Sequence, residues 1–175
     1  MNITLHRTLM VCMLAGALAL TIALVAAKDV SAAPSPERAG GATQISGLGS
    51  YDARCDPTSV DPRASYAILM TGDLEGCLYT FVETAESSPS GTYRETGTEL
   101  FVGSTSEGAG TFKTTYRFEA KYEDVNDPAT EIFGRCQHPM VEGSGTGIFE
   151  GVSGILLFKD DVETGNFPYR GHLRY

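Results

Sequence analysis

The chain has 175 residues, and its 13 Lys and Arg against 22 Asp and Glu give a formal net charge of −9 at pH 7. The basic residues are dispersed, which argues against nucleic acid or an anionic membrane surface as a partner, because both require clustered positive charge. Once an N-terminal export segment is set aside, about 140 residues remain, enough for one domain with its own core.

The first 32 residues predict export from the cytoplasm. His6 and Arg7 precede an uncharged, largely apolar run at 8–27, and small residues at 25–27 and 30–32 offer cleavage points. This pattern is typical of a secretory signal peptide over 1–32, which predicts a secreted or extracytoplasmic protein. An uncleaved N-terminal anchor is the alternative, because about twenty apolar residues also span a bilayer. Contact with a membrane is expected only in that case.

The rest of the chain divides into a linker and one domain. Residues 33–49 are rich in Ala, Pro, Ser and Gly, which predicts a flexible linker. Residues 50–175 show strand patterns and no convincing helical period, which predicts an all-β domain. The sequence leaves its oligomeric state open. The predicted strands are 65–83, with a kink at its glycines, 92–104, 111–123, 131–142, 155–160 and 169–175.

The strand at 111–123 carries the clearest alternation. Phe112, Tyr116 and Phe118 share one face, and Lys113 and Arg117 lie on the other, as in a half-buried antiparallel strand. Long strands joined by short polar turns favour a closed meander, because closure removes exposed edges. We therefore predict a single antiparallel up-and-down β-barrel of about seven or eight strands.

The glycine-rich segment 141–154, VEGSGTGIFEGVSG, predicts a bend in this barrel. A phosphate-binding loop is the alternative interpretation of closely spaced glycines. A phosphate-binding loop needs either a following Gly-Lys-Ser/Thr, which the sequence lacks, or a third glycine at the position that Glu150 occupies. It also needs a helix after the loop, whereas residues 155–160 are predicted to form a strand. The structural interpretation is therefore favoured.

Acidic residues within strands are candidates for chemistry. Most strand carboxylates face water, but Glu99 shares strand parity with Tyr93 and Phe101, and a carboxylate inside an apolar barrel has a raised pKa and suits general acid or base chemistry. The acidic turn at 160–166 lacks the spacing of a calcium-binding EF-hand and is expected to be a solvated loop. The strand glutamates are Glu75, Glu95, Glu99 and Glu119.

Three cysteines, Cys55, Cys77 and Cys136, lie beyond the export segment. An oxidising compartment predicts one disulfide and one free thiol among them, and the spacing leaves all three connectivities open. No C-x-x-C motif is present, and neither His138 nor His172 accompanies a G-x-S-x-G motif. The sequence therefore predicts no metal site, no cofactor and no hydrolase triad.

Several glycine motifs resemble those of a known family. GIFEG at 147–151, followed by Gly154, resembles the glycine-rich corner of allene oxide cyclases, small calycin-type barrels. The segments 71–76, 97–103 and 108–112 resemble repeated signatures of uncharacterised bacterial secreted proteins of the same barrel superfamily. The resemblance covers about residues 65–175 and implies the barrel fold.

The resemblance also implies an assignment of the cysteines. Cys77, in a Gly-Cys-Leu context, resembles the strand cysteine that lines the cavity of plant allene oxide cyclases. A free Cys77 leaves Cys55, in a Pro-rich loop, to form a disulfide with Cys136.

The expected function is binding of a small apolar molecule in the barrel of an exported protein. One alternative, implied by the resemblance, is a cofactor-free isomerase or cyclase acting in the same cavity. Another is a structural barrel that is filled by side chains and binds nothing. The candidate residues lining the cavity are Phe112, Tyr116, Phe118, Cys77 and Glu99.

Overall fold

The computed structural model describes residues 41–175, so the predicted export segment and the start of the predicted linker lie outside the described residues. Within that range no helix has both the length and the apolar character needed to span a membrane. The described chain is built almost entirely from strands. These are β1 (Thr43–Ser50), β2 (Tyr66–Gly72), β3 (Glu75–Ser87), β4 (Thr92–Thr105), β5 (Gly108–Tyr122), β6 (Glu131–Pro139), β7 (Thr146–Gly147), β8 (Ser153–Lys159) and β9 (Phe167–Arg174).

Eight strands close into one antiparallel barrel. Their order around it is β1-β2-β3-β4-β5-β6-β8-β9, and β9 pairs with β1 to complete the circle. Within the barrel, each strand lies beside the next barrel strand along the chain. The two-residue β7 lies outside this circle and pairs with Gly110 and Thr111 of β5. The prediction of a single up-and-down antiparallel barrel of about seven or eight strands is confirmed.

The predicted strand at 65–83 is wrong, because this stretch contains a hairpin. β2 ends at Gly72 and β3 begins at Glu75, and the two strands pair antiparallel. Gly72 has φ of +106°, a conformation that favours glycine and lets the chain reverse. The turn is held by the Asp73 carboxylate, which accepts a hydrogen bond of 2.7 Å from the backbone N–H of Ser46.

The predicted linker at 33–49 extends too far, because β1 already begins at Thr43. Residues 43–49 pair with β9 along their whole length, and Ile45 lies in the core. The sequence of β1, TQISGLGS, is mostly polar or glycine and has little intrinsic strand preference. Its conformation is set by its neighbours in the barrel, whose hydrogen-bonding groups it satisfies.

Aromatic side chains fill one end of the barrel. Phe101 and Phe112 stack with ring centroids 4.9 Å apart, and Phe149 packs edge-on against both. All three side chains are fully buried. Phe149 belongs to the glycine-rich segment 141–154, which folds over this end as the connection between β6 and β8. This segment therefore closes the barrel.

The disulfide joins Cys55 to Cys77, with Cα atoms 5.6 Å apart, and Cys136 is free. The predicted Cys55–Cys136 bond is therefore wrong. Along β3, Leu78 and Thr80 are almost fully buried inside the barrel. Neighbouring side chains of a strand point to opposite faces, so Cys77, which precedes Leu78, faces outward. The predicted place of Cys77 in the cavity is also wrong. Its bond holds the loop after β1 against a small apolar cluster that includes Ala67 and Tyr79.

Candidate functional site

A cavity of about 540 Å³ enters the barrel at the end opposite the phenylalanine cluster. Its wall is formed where β2, β6 and β9 begin and where β5 and β8 end, together with the loops that follow β1, β5 and β8. Strand alternation points aromatic residues of these segments inward, and the connecting loops extend the wall outward. The aromatic residues of the wall are Tyr51, Tyr66, Phe118, Tyr122, Phe158 and Phe167.

Strand β4 supplies two buried acids to this cavity. Glu95 is 8% exposed and Glu99 is 3% exposed, and the spacing of four residues puts both on the inner face of the strand. Gly97 lies between them, and a Cβ atom there would approach the ring of Tyr116 to 2.8 Å. The missing side chain therefore leaves room for Tyr116 to lie against β4 and reach Glu95.

The Glu95 carboxylate accepts hydrogen bonds from tyrosine hydroxyls. Tyr116 donates to Oε1 at 2.7 Å, Tyr66 donates to the same oxygen at 3.1 Å, and Tyr93 donates to Oε2 at 2.5 Å. Burial raises the pKa of each of these phenols, and the nearby Glu95 raises it further. The tyrosines consequently remain hydrogen-bond donors throughout the physiological pH range.

The Glu99 carboxylate accepts three hydrogen bonds deeper in the barrel. Thr80 donates to Oε1 at 3.2 Å, and Thr114 donates to Oε2 at 2.7 Å. Nδ1 of His138 lies 2.5 Å from Oε2. Because a carboxylate accepts, the imidazole proton of a neutral ring is assigned to Nδ1, and in that tautomer Nε2 is an acceptor.

His138 is held between aromatic rings, and one of its ring nitrogens lacks a hydrogen-bond partner. Its ring centroid lies 4.6 Å from that of Phe158 and 6.0 Å from that of Tyr116. The side chain lines the cavity and is buried, and its Nε2 atom has no hydrogen-bond partner in the described part of the chain. A buried acceptor without a partner is unusual and calls for an explanation.

A second pair of carboxyl groups lies near the mouth of the cavity, on β6 and just after β8. Burial raises the pKa of Asp160 to about 7, and the neighbouring Glu131 carboxyl adds to the rise. Burial together with these two acids also raises the pKa of Tyr122 to about 12. Gly134 permits the arrangement, because a Cβ atom there would lie 2.2 Å from Oδ2 of Asp160.

The predicted cavity residues lie in four different places. Phe118 and Glu99 line the cavity. Tyr116 lies inside the barrel and contributes its hydroxyl to Glu95, whereas Phe112 belongs to the cluster that fills the closed end. Cys77 lies on the outer face.

Sequence reasoning missed three residues of the site. Glu95 belongs to the strand carboxylates that the sequence predicts to face water, although its spacing from Glu99 places both on the same face. His138 shares parity with the buried Gly134 and Cys136, a signal that would have indicated an inward position. The sequence predicts a solvated loop at Asp160, but this residue lies on the cavity wall.

The cavity is rich in acceptors and poor in positive charge. Among the described residues, five acidic side chains line it and no Lys or Arg does. The lysines and arginine of β5 lie on the opposite face from Phe112 and Tyr116. Within residues 41–175, no group of three or more His, Cys, Asp or Glu side chains is arranged to hold a metal ion. The five acidic residues are Glu95, Glu99, Glu131, Asp160 and Asp161.

No protein-family model matches the sequence, and no curated protein matches it. The resemblance to allene oxide cyclases therefore stays a prediction, and the functional argument rests on the geometry of the cavity.

Proposed function

We propose that this protein is an exported barrel that binds a small molecule with an apolar body in its open cavity. The supporting observation is the cavity itself, about 540 Å³ in volume and walled by aromatic side chains. Ligand sites commonly measure roughly 300–1,000 Å³ and combine apolar walls with a few polar groups. A purely structural barrel is disfavoured, because such a barrel fills its interior with side chains.

Two features support export. The sequence begins with an apolar segment typical of a signal peptide, and the Cys55–Cys77 disulfide is the bonding state expected in an oxidising compartment.

The proposal is tested with N-phenyl-1-naphthylamine, a neutral apolar dye whose fluorescence rises in apolar sites. The wild-type protein is expected to enhance its fluorescence. Ala129→Trp places a large side chain on the cavity wall and should weaken dye binding at least tenfold. Val60→Trp, at an exposed position outside the cavity wall, is the matched control and should bind as the wild type does. Absence of enhancement, or equal binding by Ala129→Trp, would contradict the proposal.

A second candidate function is isomerisation or cyclisation by proton transfer. The Glu99–His138 pair favours it, because a carboxylate that orients Nδ1 leaves Nε2 free to act as a general base. The family resemblance suggests an epoxide of an unsaturated fatty acid as the test substrate. The enzyme hypothesis predicts product formation above the rate in buffer and loss of that gain in His138→Gln, with Glu83→Gln unaffected. Equal rates with and without protein would exclude this substrate class.

A further inference from the structure

We propose that the ligand is a small organic cation, an amine carried on an apolar body. The inference rests on the proposed ligand-binding function and adds the charge of the ligand. Three independent properties of the cavity support it: its charge, its unpartnered acceptor and its aromatic wall.

The charge of the wall selects against anions. A carboxylate ligand in this cavity would meet Glu95, Glu99 and Glu131, and among residues 41–175 no Lys or Arg lies on the wall to offset the repulsion. Partial exclusion of water strengthens these interactions, because the effective dielectric constant is lower than in bulk solvent. With a protonated amine the interaction becomes attractive, and each ionised carboxylate on the wall then contributes to binding.

The acceptors of the site match the N–H groups of an ammonium. Nε2 of His138 is a buried acceptor without a partner, and Glu95 retains acceptor capacity because an ionised carboxylate has about four lone-pair positions. Tyr116 connects the two, since its ring stacks on His138 and its hydroxyl donates to Glu95. An ammonium between Glu95 and His138 supplies the missing donor, which neither a hydrocarbon nor an ether could supply.

The aromatic wall suits both parts of such a ligand. Phe118 and Phe158 offer apolar surface to its body. Nearer the mouth, Tyr51 packs edge-on against Phe167 with centroids 5.3 Å apart, and Tyr66 lies beside Tyr51. Electron-rich ring faces attract cations as well as apolar groups. The entrance therefore favours the same ligand class as the carboxylates inside.

The experiment compares three probes that share a phenyl ring and a two-carbon chain. Isothermal titration calorimetry at pH 7.5 measures 2-phenylethylamine, which is cationic, 2-phenylethanol, which is neutral, and 3-phenylpropionate, which is anionic. The amine is expected to bind at least tenfold more tightly than the alcohol, and the propionate is expected not to bind. Raising NaCl from 50 to 500 mM should weaken amine binding and leave alcohol binding unchanged.

Variants assign the effect to the cavity. Glu95→Gln should weaken amine binding at least tenfold while alcohol binding changes less than twofold. Glu83→Gln, an exposed carboxylate on β3, is the control and should change neither. If Glu95→Gln fails to fold, Asp161→Asn on the cavity wall provides the second test, with a two- to threefold loss of amine affinity expected.

The outcomes separate the two proposals. Equal binding of the amine and the alcohol, or tighter binding of the propionate, would overturn the cationic ligand and leave the binding function standing. Binding of N-phenyl-1-naphthylamine without any binding of 2-phenylethylamine would also overturn the cationic ligand and leave the binding function standing. Failure of the dye and of all three probes would overturn both.

Discussion

Nδ1 of His138 lies 2.5 Å from Oε2 of Glu99 in the interior of the barrel, and the two side chains are 6% and 3% exposed. The pair links β6 to β4, strands that do not neighbour each other around the barrel. Because the hydroxyls of Thr80 and Thr114 share the same carboxylate, Glu99 joins four strands through one group. The stability of the barrel and the lining of its cavity therefore depend on the same residue.

Removal of the Glu99 carboxylate should strongly destabilise the fold. Glu99→Ala leaves the imidazole N–H and the hydroxyls of Thr80 and Thr114 without their acceptor, so the free energy of unfolding is expected to fall by about 3 kcal/mol. Glu99→Gln keeps one acceptor oxygen and should lose about half as much. Urea unfolding measures both, with Glu83→Gln as control. A loss under about 0.5 kcal/mol in Glu99→Ala would show that the network contributes little.

Stability should fall as the pH rises toward neutrality because of Asp160. Its pKa is raised from 3.8 to about 7, so the folded protein retains a proton that the unfolded chain releases between these values. The unfolding free energy therefore decreases across that window and levels off above it. Glu131, Tyr122 and Tyr51 face this carboxyl group, and Tyr122, with a pKa of about 12, does not titrate in the window.

Asp160→Asn isolates this effect. Allowing for partial exposure of the group, the variant should gain on the order of 1 kcal/mol relative to the wild type between pH 5.5 and pH 8. Urea unfolding of both proteins at the two pH values gives the comparison. The same difference in stability at both values would show that Asp160 is not the titrating group.

The cysteines should differ sharply in reactivity. Unfolding without reduction, followed by alkylation and peptide mapping, should label Cys136 and leave Cys55 and Cys77 unlabelled. In the folded protein the labelling of Cys136 should be slow, because burial raises the pKa of its thiol. Label on Cys55 or Cys77 would contradict the observed connectivity.

Loss of the disulfide should cost stability. The bond joins residues 22 positions apart, and on the chain-entropy model its removal lowers the free energy of unfolding by about 3 kcal/mol. The double variant Cys55→Ser, Cys77→Ser measures this by urea unfolding, with the wild type in reducing buffer as a parallel comparison. Unchanged stability in both would show that the loop after β1 does not restrain the barrel.

Gly97 should tolerate no side chain. A Cβ atom there would lie 2.1 Å from the backbone oxygen of Phe81 and 2.8 Å from the Tyr116 ring. Gly97→Ala is therefore expected to lower the free energy of unfolding by about 2 kcal/mol and to displace the hydroxyl of Tyr116 from Glu95. Gly151→Ala, at a position with open space around it but positive φ, provides a comparison limited to backbone strain. A smaller loss at Gly97 than at Gly151 would contradict this packing.

The strands could be predicted where their alternation of apolar and polar residues matches the inner and outer faces of the barrel. The alternation in 111–123 indicated which side of β5 faces inward, and the parity of Glu99 with Phe101 indicated a buried carboxylate. β1 was not predictable, because its partner β9 lies more than one hundred residues away and its own sequence is polar. The partnership of His138 with Glu99 spans 39 residues and depends on the barrel closing. Disulfide connectivity likewise depends on which side chains share the outer face.

The most direct test of a cavity that binds a cationic ligand is a ¹H–¹⁵N correlation titration with 2-phenylethylamine. We predict that amide shifts concentrate at Glu95, Glu99 and His138 and leave Tyr79, under the loop on the outer face, unchanged. Shifts confined to the outer face, or no shifts around the cavity at millimolar amine, would contradict the account.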